Sequence, residues 1–243
     1  MAIQIYPDYD SLSLHVANEI AAQIADKPDS LLCLAAGDTP KLGYRLLADI
    51  VHKEQIDCSR CTFVGLDEWL GVPQDNEGSC FYFLNTHLFT PLGIKRSQIH
   101  VFDGMTTDPD KDCRTMDQFI RDRNGIDLML VGVGMNGHIG FNEPGARENV
   151  YAHVVQLDET TRRVGQKYFP RETKLNLGIT LGLRHLLESR RAIMAASGLK
   201  KAGIIKLALQ EEISTDIPAS LIRKHKNGVT ILDEDAASRL TVI

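Results

Sequence analysis

Four polar side chains stand close together in GVGMNGHIGFNEPG, residues 132–145: Asn136, His138, Asn142 and Glu143. Histidine suits acid and base work near neutrality, and a carboxylate on its second nitrogen fixes the tautomer and supports the charged form. His138 with Glu143 is such a pair, on a loop whose glycines let all four side chains turn toward one point. Spacing alone leaves a second reading open, a histidine bonded to a loop carbonyl beside a solvent-facing glutamate. A metal site is the weaker reading, because two further ligands would have to come from elsewhere. The same segment satisfies G-x-G-x-x-G through Gly132, Gly134 and Gly137. A dinucleotide loop, however, needs its third glycine to open a helix, and Gly140, Pro144 and Gly145 break any helix there.

Two further clusters could take part. Asp67 and Glu68 in GLDEWLG follow an apolar run, and a partly desolvated carboxylate there could remove a proton next to a carbonyl; the competing reading is that Asp67 caps the next turn. In GDTP, residues 37–40, Thr39 reads as the N-cap of a helix and Pro40 as its first residue. A strand, a glycine turn and a helix N-terminus in succession make a ready anion site.

The elements that must position these groups read as a βα repeat. IQIY, LLCLAA, TFVGL, IHVF, IDLMLVGVG, HVVQL, AIMAAS and VTIL are the strand candidates, with Asp67 and Glu68 in the polar loop after TFVGL. Helical patterns run from Asp10 to Asp26, after GDTP, through CFYFLNTHLF with Ser79 as cap, over 109–123, through DETTRRVGQKYF, from Thr180 to Glu188, from Lys200 to Leu209 and from Asp233 onward. Continuous apolar strands are those buried on both faces, so the pattern predicts a doubly wound α/β fold, a mainly parallel Rossmann-like sheet with helices on both faces. Gly37, Asp67 and His138 all fall just after strands, where open α/β sheets bind ligands.

Composition narrows the function classes. The chain has 243 residues, enough for one domain over 1–243, with 43% hydrophobic and 24% charged residues. A net charge of -5, with no basic run interleaved with aromatics, argues against nucleic acid as a partner. The N-terminus MAIQIYPDYD has no signal-peptide pattern, and no apolar run is long enough to span a membrane; the sequence reads as cytoplasmic. Five cysteines are an odd number for a disulfide framework, and Cys58-x-x-Cys61 has no second pair or finger-spaced histidines, so reduced thiols are expected.

Together, LAAGDTPKLGYRLL, FVGLDEWLG with SCFYFLNTHLF, and GVGMNGHIGFNEPG, followed by TTRRVGQKYF, GITLGL, ASGLKKA and DIPASLIRKH, resemble the glucosamine-6-phosphate deaminase/isomerase family over nearly the whole chain. The resemblance implies conversion of an amino-sugar 6-phosphate and water into a ketose 6-phosphate and ammonia, with no metal and no organic cofactor. His138 would assist opening of the pyranose ring, with Glu143 and Asn136 orienting it. Asp67 would move a proton between C2 and C1. The phosphate would lie on Gly37, Asp38 and Thr39, helped by Lys167 and Lys201. The implied partner is a small sugar phosphate, with no nucleic acid or membrane; relatives range from monomers to hexamers, which leaves room for a homo-oligomer.

The chain also departs from its relatives. Asp38 stands where they have a small or hydroxyl residue, Ala36 replaces Thr or Ser, Asn136 replaces a common aspartate, and Lys167 replaces arginine. ARENVYAH lacks the S-R-T-like segment of typical glucosamine-6-phosphate deaminases. That difference, with LDEW, GITLGL and IPASLI, brings the chain nearer the galactosamine-6-phosphate isomerase branch, and the loss of basic residues predicts no allosteric activation. 6-Phosphogluconolactonases share the fold and the glycine turn but resemble GHxASLFP after the histidine, so Glu143 favours the deaminase. A sugar-phosphate-binding protein without turnover is the other alternative; Asp38 speaks for it, and the retained Asp67, His138 and Glu143 speak against it.

Overall fold

The apolar runs form the interior of a single parallel sheet in the computed structural model, which describes residues 1–241. Its strands are β1 (Ala2–Tyr6), β2 (Leu31–Leu34), β3 (Thr62–Val64), β5 (Ile99–His100), β6 (Leu128–Val131), β9 (Arg191–Ala196) and β10 (Gly228–Asp233). They lie in the order β1-β10-β9-β6-β2-β3-β5, and every neighbouring pair is parallel. Register turns alternate residues to opposite faces. Phe63, Leu32 and Leu128 lie side by side in one core, whereas Val64, Cys33, Met129 and Ala192 lie side by side in the other.

Helices cover both faces, as the sequence predicts. α1 (Tyr9–Asp26), α2 (Asp38–Glu54) and α3 (Cys80–Leu84) bury residues such as Val16, Ile20, Leu47 and Leu84 against the Leu32 face. The opposite face takes α4 (Pro109–Asp122), α6 (Leu183–Glu188), α7 (Ala202–Gln210) and the short α8 (Glu234–Ala237) through Met116, Leu186, Ile205 and Ala236. Asp8, Asp108 and Asp233 cap α1, α4 and α8 by accepting a backbone N–H three residues on. CFYFLNTHLF is helical throughout, but its second half, Asn85–Phe89, widens to a π-helix.

Several boundaries differ from expectation, and one difference matters for the site. Asp67 and Glu68 are not in a loop: Asp67–Trp69 is strand β4, which pairs antiparallel with β8 (Leu177–Thr180), and β8 pairs in turn with β7 (His153–Gln156). Thr180 therefore ends a strand, and the helix expected from Thr180 begins only at Leu183. The N-cap of α2 is Gly37, which makes no side-chain cap bond; Thr39 is the second helical residue and Pro40 the third. Gly37 has φ 112, a conformation L side chains rarely adopt. Asp233 caps α8 and does not begin it.

Strand order also locates the crevice. From β2 the chain moves outward to β3 and β5, then returns to place β6 on the other side of β2. Order reverses between β2 and β6, so the gap beyond their carboxyl ends is the topological switch point where ligands bind in such sheets. Among the described residues no helix is long and apolar enough to cross a membrane.

Candidate active site

A cleft of about 220 Å³ opens at that switch point. Gly37, Asp38 and Thr39 line it from the end of β2, Asp67 and Trp69 from β4, and Gly132, Gly134 and His138 from the end of β6. The remaining wall comes from α5 (Glu159–Gly165), the following 3-10 turn with Lys167 and Tyr168, and Lys201 after β9.

The glycine loop does not open a helix, because the next helix after β6 is α5. It turns back on itself instead: Gly134 N–H donates to the His138 carbonyl at 2.9 Å and Gly137 N–H to the Gly134 carbonyl at 3.1 Å. The imidazole then lies flat against Gly134. A Cβ at that position would sit 2.3 Å from His138 Nε2, so the glycine is required by the histidine and not by a phosphate.

The other ring nitrogen is held from behind. His138 Nδ1 lies 2.9 Å from Thr161 Oγ1 and 3.4 Å from Glu143 Oε2. Burial opposes charge on Glu143, but hydrogen bonds from His138, the attraction of its ring, and further bonds from Thr161 and Asn136 outweigh it and hold the carboxyl below its ordinary pKa. An ionised Glu143 only accepts, so the Nδ1 edge faces an acceptor and carries the proton. The lone pair is left on Nε2. Asn136 acts on the carboxylate and not on the ring: its Nδ2 donates to Glu143 Oε2 at 2.9 Å and to Asp158 Oδ1 at 3.3 Å, and its Oδ1 accepts from His138 N–H at 3.3 Å. Asp158 N–H donates to the other carboxylate oxygen, Oε1, at 3.1 Å.

Asn142 does not join this group. It is buried, and its Nδ2 donates to the carbonyls of Ile139 and Leu181, both at 2.8 Å, tying the loop to the end of β8. Glu68 likewise turns away from the cleft. Neighbouring residues on a strand face opposite sides, and Glu68 accepts from Trp69 N–H, Cys80 N–H, Phe81 N–H and the Ser79 hydroxyl, capping α3.

Asp67 alone of that pair faces the cleft. Burial pushes its carboxyl up to about 7 and the charge of Glu68 adds to this, while a hydrogen bond from the Cys80 thiol opposes it. Burial and the two carboxylates keep that thiol protonated, so it is a donor. A carboxyl titrating near neutrality beside an open cavity can accept a proton from carbon and return it.

The opposite end of the cleft is cationic. Lys201 Nζ donates to the Val133 carbonyl; burial, then repulsion from Lys167, brings its ammonium down to about 8. Lys167 Nζ lies 2.5 Å from Asp38 Oδ2 and 4.8 Å from the centre of the Tyr168 ring. α2 starts here with its first N–H groups unbonded to any cap side chain, which together with the helix dipole favours an anion.

The model of the family described as glucosamine-6-phosphate isomerases/6-phosphogluconolactonase matches residues 9–232. This chain belongs to that family. Within it, the chain is 38% identical over 239 residues to a glucosamine-6-phosphate deaminase of Bacillus pumilus, covering 98% of this chain and 99% of the relative. It is 35% identical to a glucosamine-6-phosphate deaminase of Clostridium perfringens, covering 99% of this chain and all of the relative. A solved monomeric glucosamine-6-phosphate deaminase superposes with a TM-score of 0.95 at 34% identity over 99% of this chain and 100% of that one. The 6-phosphogluconolactonase of Trypanosoma brucei, at 20% identity and a TM-score of 0.79 over 99% of this chain and 98% of that one, shares the fold of the glucosamine-6-phosphate isomerase/6-phosphogluconolactonase family.

Of the residues expected from the sequence, Gly37, Asp38, Thr39, Asp67, His138, Lys167 and Lys201 share the cleft wall, with Glu143 and Asn136 behind His138. Thr161, Asp158, Tyr168 and Cys80 were not legible as partners. Their only signal was membership of the segments TTRRVGQKYF and SCFYF and, for Asp158, a place just before TTRR. The Cys58 and Cys61 thiols are buried and free, on the far side from the cleft, with Cys61 Sγ donating to the Pro28 carbonyl at 3.3 Å. No group of three metal-ligating side chains forms among the described residues.

Proposed function

We propose that the chain is an amino-sugar-6-phosphate deaminase/isomerase, which takes an aldose carrying a 2-amino group to the ketose 6-phosphate and ammonia. The observation that carries this reading is the pairing, across one cleft, of a carboxyl poised near neutrality with a histidine backed by Glu143. Lactone hydrolysis asks only for activation of water. An aldose-to-ketose shift needs in addition a base beside C1 and C2, and we assign that role to Asp67.

In this reading the phosphate sits at the start of α2 between Lys167 and Lys201, which fixes the sugar by a group remote from the reacting carbons. His138 Nε2 takes the proton of the ring hydroxyl and delivers one to the ring oxygen as the pyranose opens, while Glu143 stabilises the imidazolium that forms. Asp67 then removes the C2 proton and places it on C1, giving an imine at C2 that water hydrolyses with loss of ammonia. Glu143 fixes the tautomer of His138, Thr161 bonds the same ring nitrogen, and Asn136 holds Glu143. These are the residues we assign to the reaction.

The test is ammonia release from glucosamine 6-phosphate and galactosamine 6-phosphate side by side, with Asp67→Asn and His138→Gln as controls. Turnover lost in both variants is expected. The named relatives act on the gluco sugar, and the two rates decide between the C4 epimers, including the galactosamine preference expected from the sequence. Turnover of neither sugar, with hydrolysis of 6-phosphogluconolactone, overturns the assignment.

A further inference from the structure

The ion pair between Asp38 and Lys167 lies inside the anion end of the cleft. Asp38 is the first residue of α2, and its carboxylate reaches across to a side chain 129 positions away. Both partners keep much of their exposure, 69% for Asp38 and 49% for Lys167. A pair so exposed is weak and exchanges readily. The backbone beneath it is fixed, because Tyr9 Oη donates to the Asp38 carbonyl at 2.9 Å and accepts from Leu42 N–H at 3.2 Å. The second ammonium, on Lys201, is itself bonded to the Val133 carbonyl. Neither cation of this end is therefore idle before a ligand arrives.

We propose that Asp38 is a tethered counter-ion: its carboxylate holds Lys167 in the free chain, and a sugar 6-phosphate binds by taking that ammonium from it. The inference rests on the phosphate end of the reading above and adds a residue that sets affinity. With Lys167 held by Asp38 and Lys201 bonded to the Val133 carbonyl, a phosphate dianion meets no idle ammonium, against one if residue 38 were neutral. Displaced, the carboxylate stays on the first turn of α2, where the helix dipole favours an acidic side chain, so the arrangement costs the fold little. The consequence is discrimination. Phosphate alone, or a ligand that offers only a phosphate, gains little from this end, and tight binding requires the amino-sugar ring to contribute at the other end. Release of a phosphorylated product is helped by the same carboxylate.

Inorganic phosphate is the probe, titrated by calorimetry at pH 7 and fixed ionic strength into the wild-type chain and the Asp38→Ser and Asp38→Asn variants. Both variants should bind phosphate about tenfold more tightly, or ~1.4 kcal/mol, and their affinity should fall more steeply with added salt because one more cation is free. The gain should vanish in Asp38→Ser combined with Lys167→Met, since the effect runs through that ammonium. The asparagine variant keeps the shape of the wild-type side chain, so a gain there without one in the serine variant still supports the charge argument. Unchanged or weaker phosphate binding in both variants overturns the proposal, as does a gain that persists without Lys167. Phosphate bound by none of the forms overturns it too and leaves the deaminase reading to the ammonia assay. Failure of that assay with the tenfold gain intact overturns the deaminase reading alone.

Discussion

Replacing Asp67 by asparagine should destroy turnover and, at the same time, make the protein more stable, by an amount that depends on pH. The carboxyl has an ordinary value of 3.8 and is pushed to about 7, chiefly by burial. A folded pKa above the unfolded one means that the native state binds the extra proton. Below about pH 4 both states are protonated and Asp67 costs nothing. Between about 4 and 7 the unfolded chain ionises while the folded one does not, so native stability falls by ~1.4 kcal/mol per pH unit, reaching ~4 kcal/mol if the carboxyl were sealed from water. The residue retains partial exposure to the cleft, and we halve the figure to ~2 kcal/mol for that solvation. The asparagine side chain carries no charge at any of these pH values and avoids the penalty. Urea unfolding of wild type and Asp67→Asn should thus coincide within ~0.5 kcal/mol at pH 4.5 and separate by ~2 kcal/mol at pH 8, the variant being the more stable, with a Tm gain of roughly 4–8 °C for a chain of this size. Equal stability at pH 8, or a difference that does not change between the two pH values, would show that Asp67 is not held in a charge-averse site. The same shift makes kcat/KM rise with pH through about 7 as Asp67 becomes a base.

Three other outcomes follow from the site. Gly134→Ala puts a methyl group 2.3 Å from His138 Nε2, so the imidazole must move; kcat should drop by ~100-fold with the unfolding midpoint little changed, measured by ammonia release and urea titration. Glu68→Ala removes four hydrogen bonds from a fully buried carboxylate and leaves the first N–H groups of α3 bare, and should cost ~3 kcal/mol in urea unfolding, whereas a residue of merely surface importance would cost under ~0.5 kcal/mol. Lys201 loses its charge as pH rises through about 8, so the Kd for inorganic phosphate should climb above pH 8 in wild type and stay flat over that interval in Lys201→Met.

The parallel sheet was legible because its central strands are unbroken apolar runs: LLCL and LMLV are buried at every position, and the sequence shows that directly. Of the antiparallel sheet only β7 was, as HVVQL. DEW begins with two acids and LGIT sits beside helix-like leucines, and strands of three and four residues are too short to show a period. Their pairing is decided by neighbours far off in the chain, such as Asp67 opposite Thr180. Thr39 reads as a cap in the sequence for a similar reason, since the turn at Gly37 is set by a positive φ that composition alone does not reveal. The histidine and the two carboxylates could be picked out by chemistry, and the lysines only through the family resemblance. Which partner each one touches depended on α5 and the small sheet, and so Thr161 and Asp158 stayed hidden while Asn142 and Glu68 drew more notice than their positions warrant.

That small sheet gives the cleft one stiff end and one soft end. Asp67 lies on β4, the loop with His138 and Glu143 is anchored through Asn142 and Phe141 to the end of β8, and β4 and β8 are joined by backbone hydrogen bonds. Asp67 and His138 thus ride on one body, and their separation is insensitive to breathing of the cleft. At the other end Asp38 and Lys167 come from two elements joined by their side chains alone, and Lys201 reaches in from a third to the Val133 carbonyl. On the proposed function, a widening at the exposed Asp38–Lys167 pair would admit the phosphate and leave Asp67 and His138 in place.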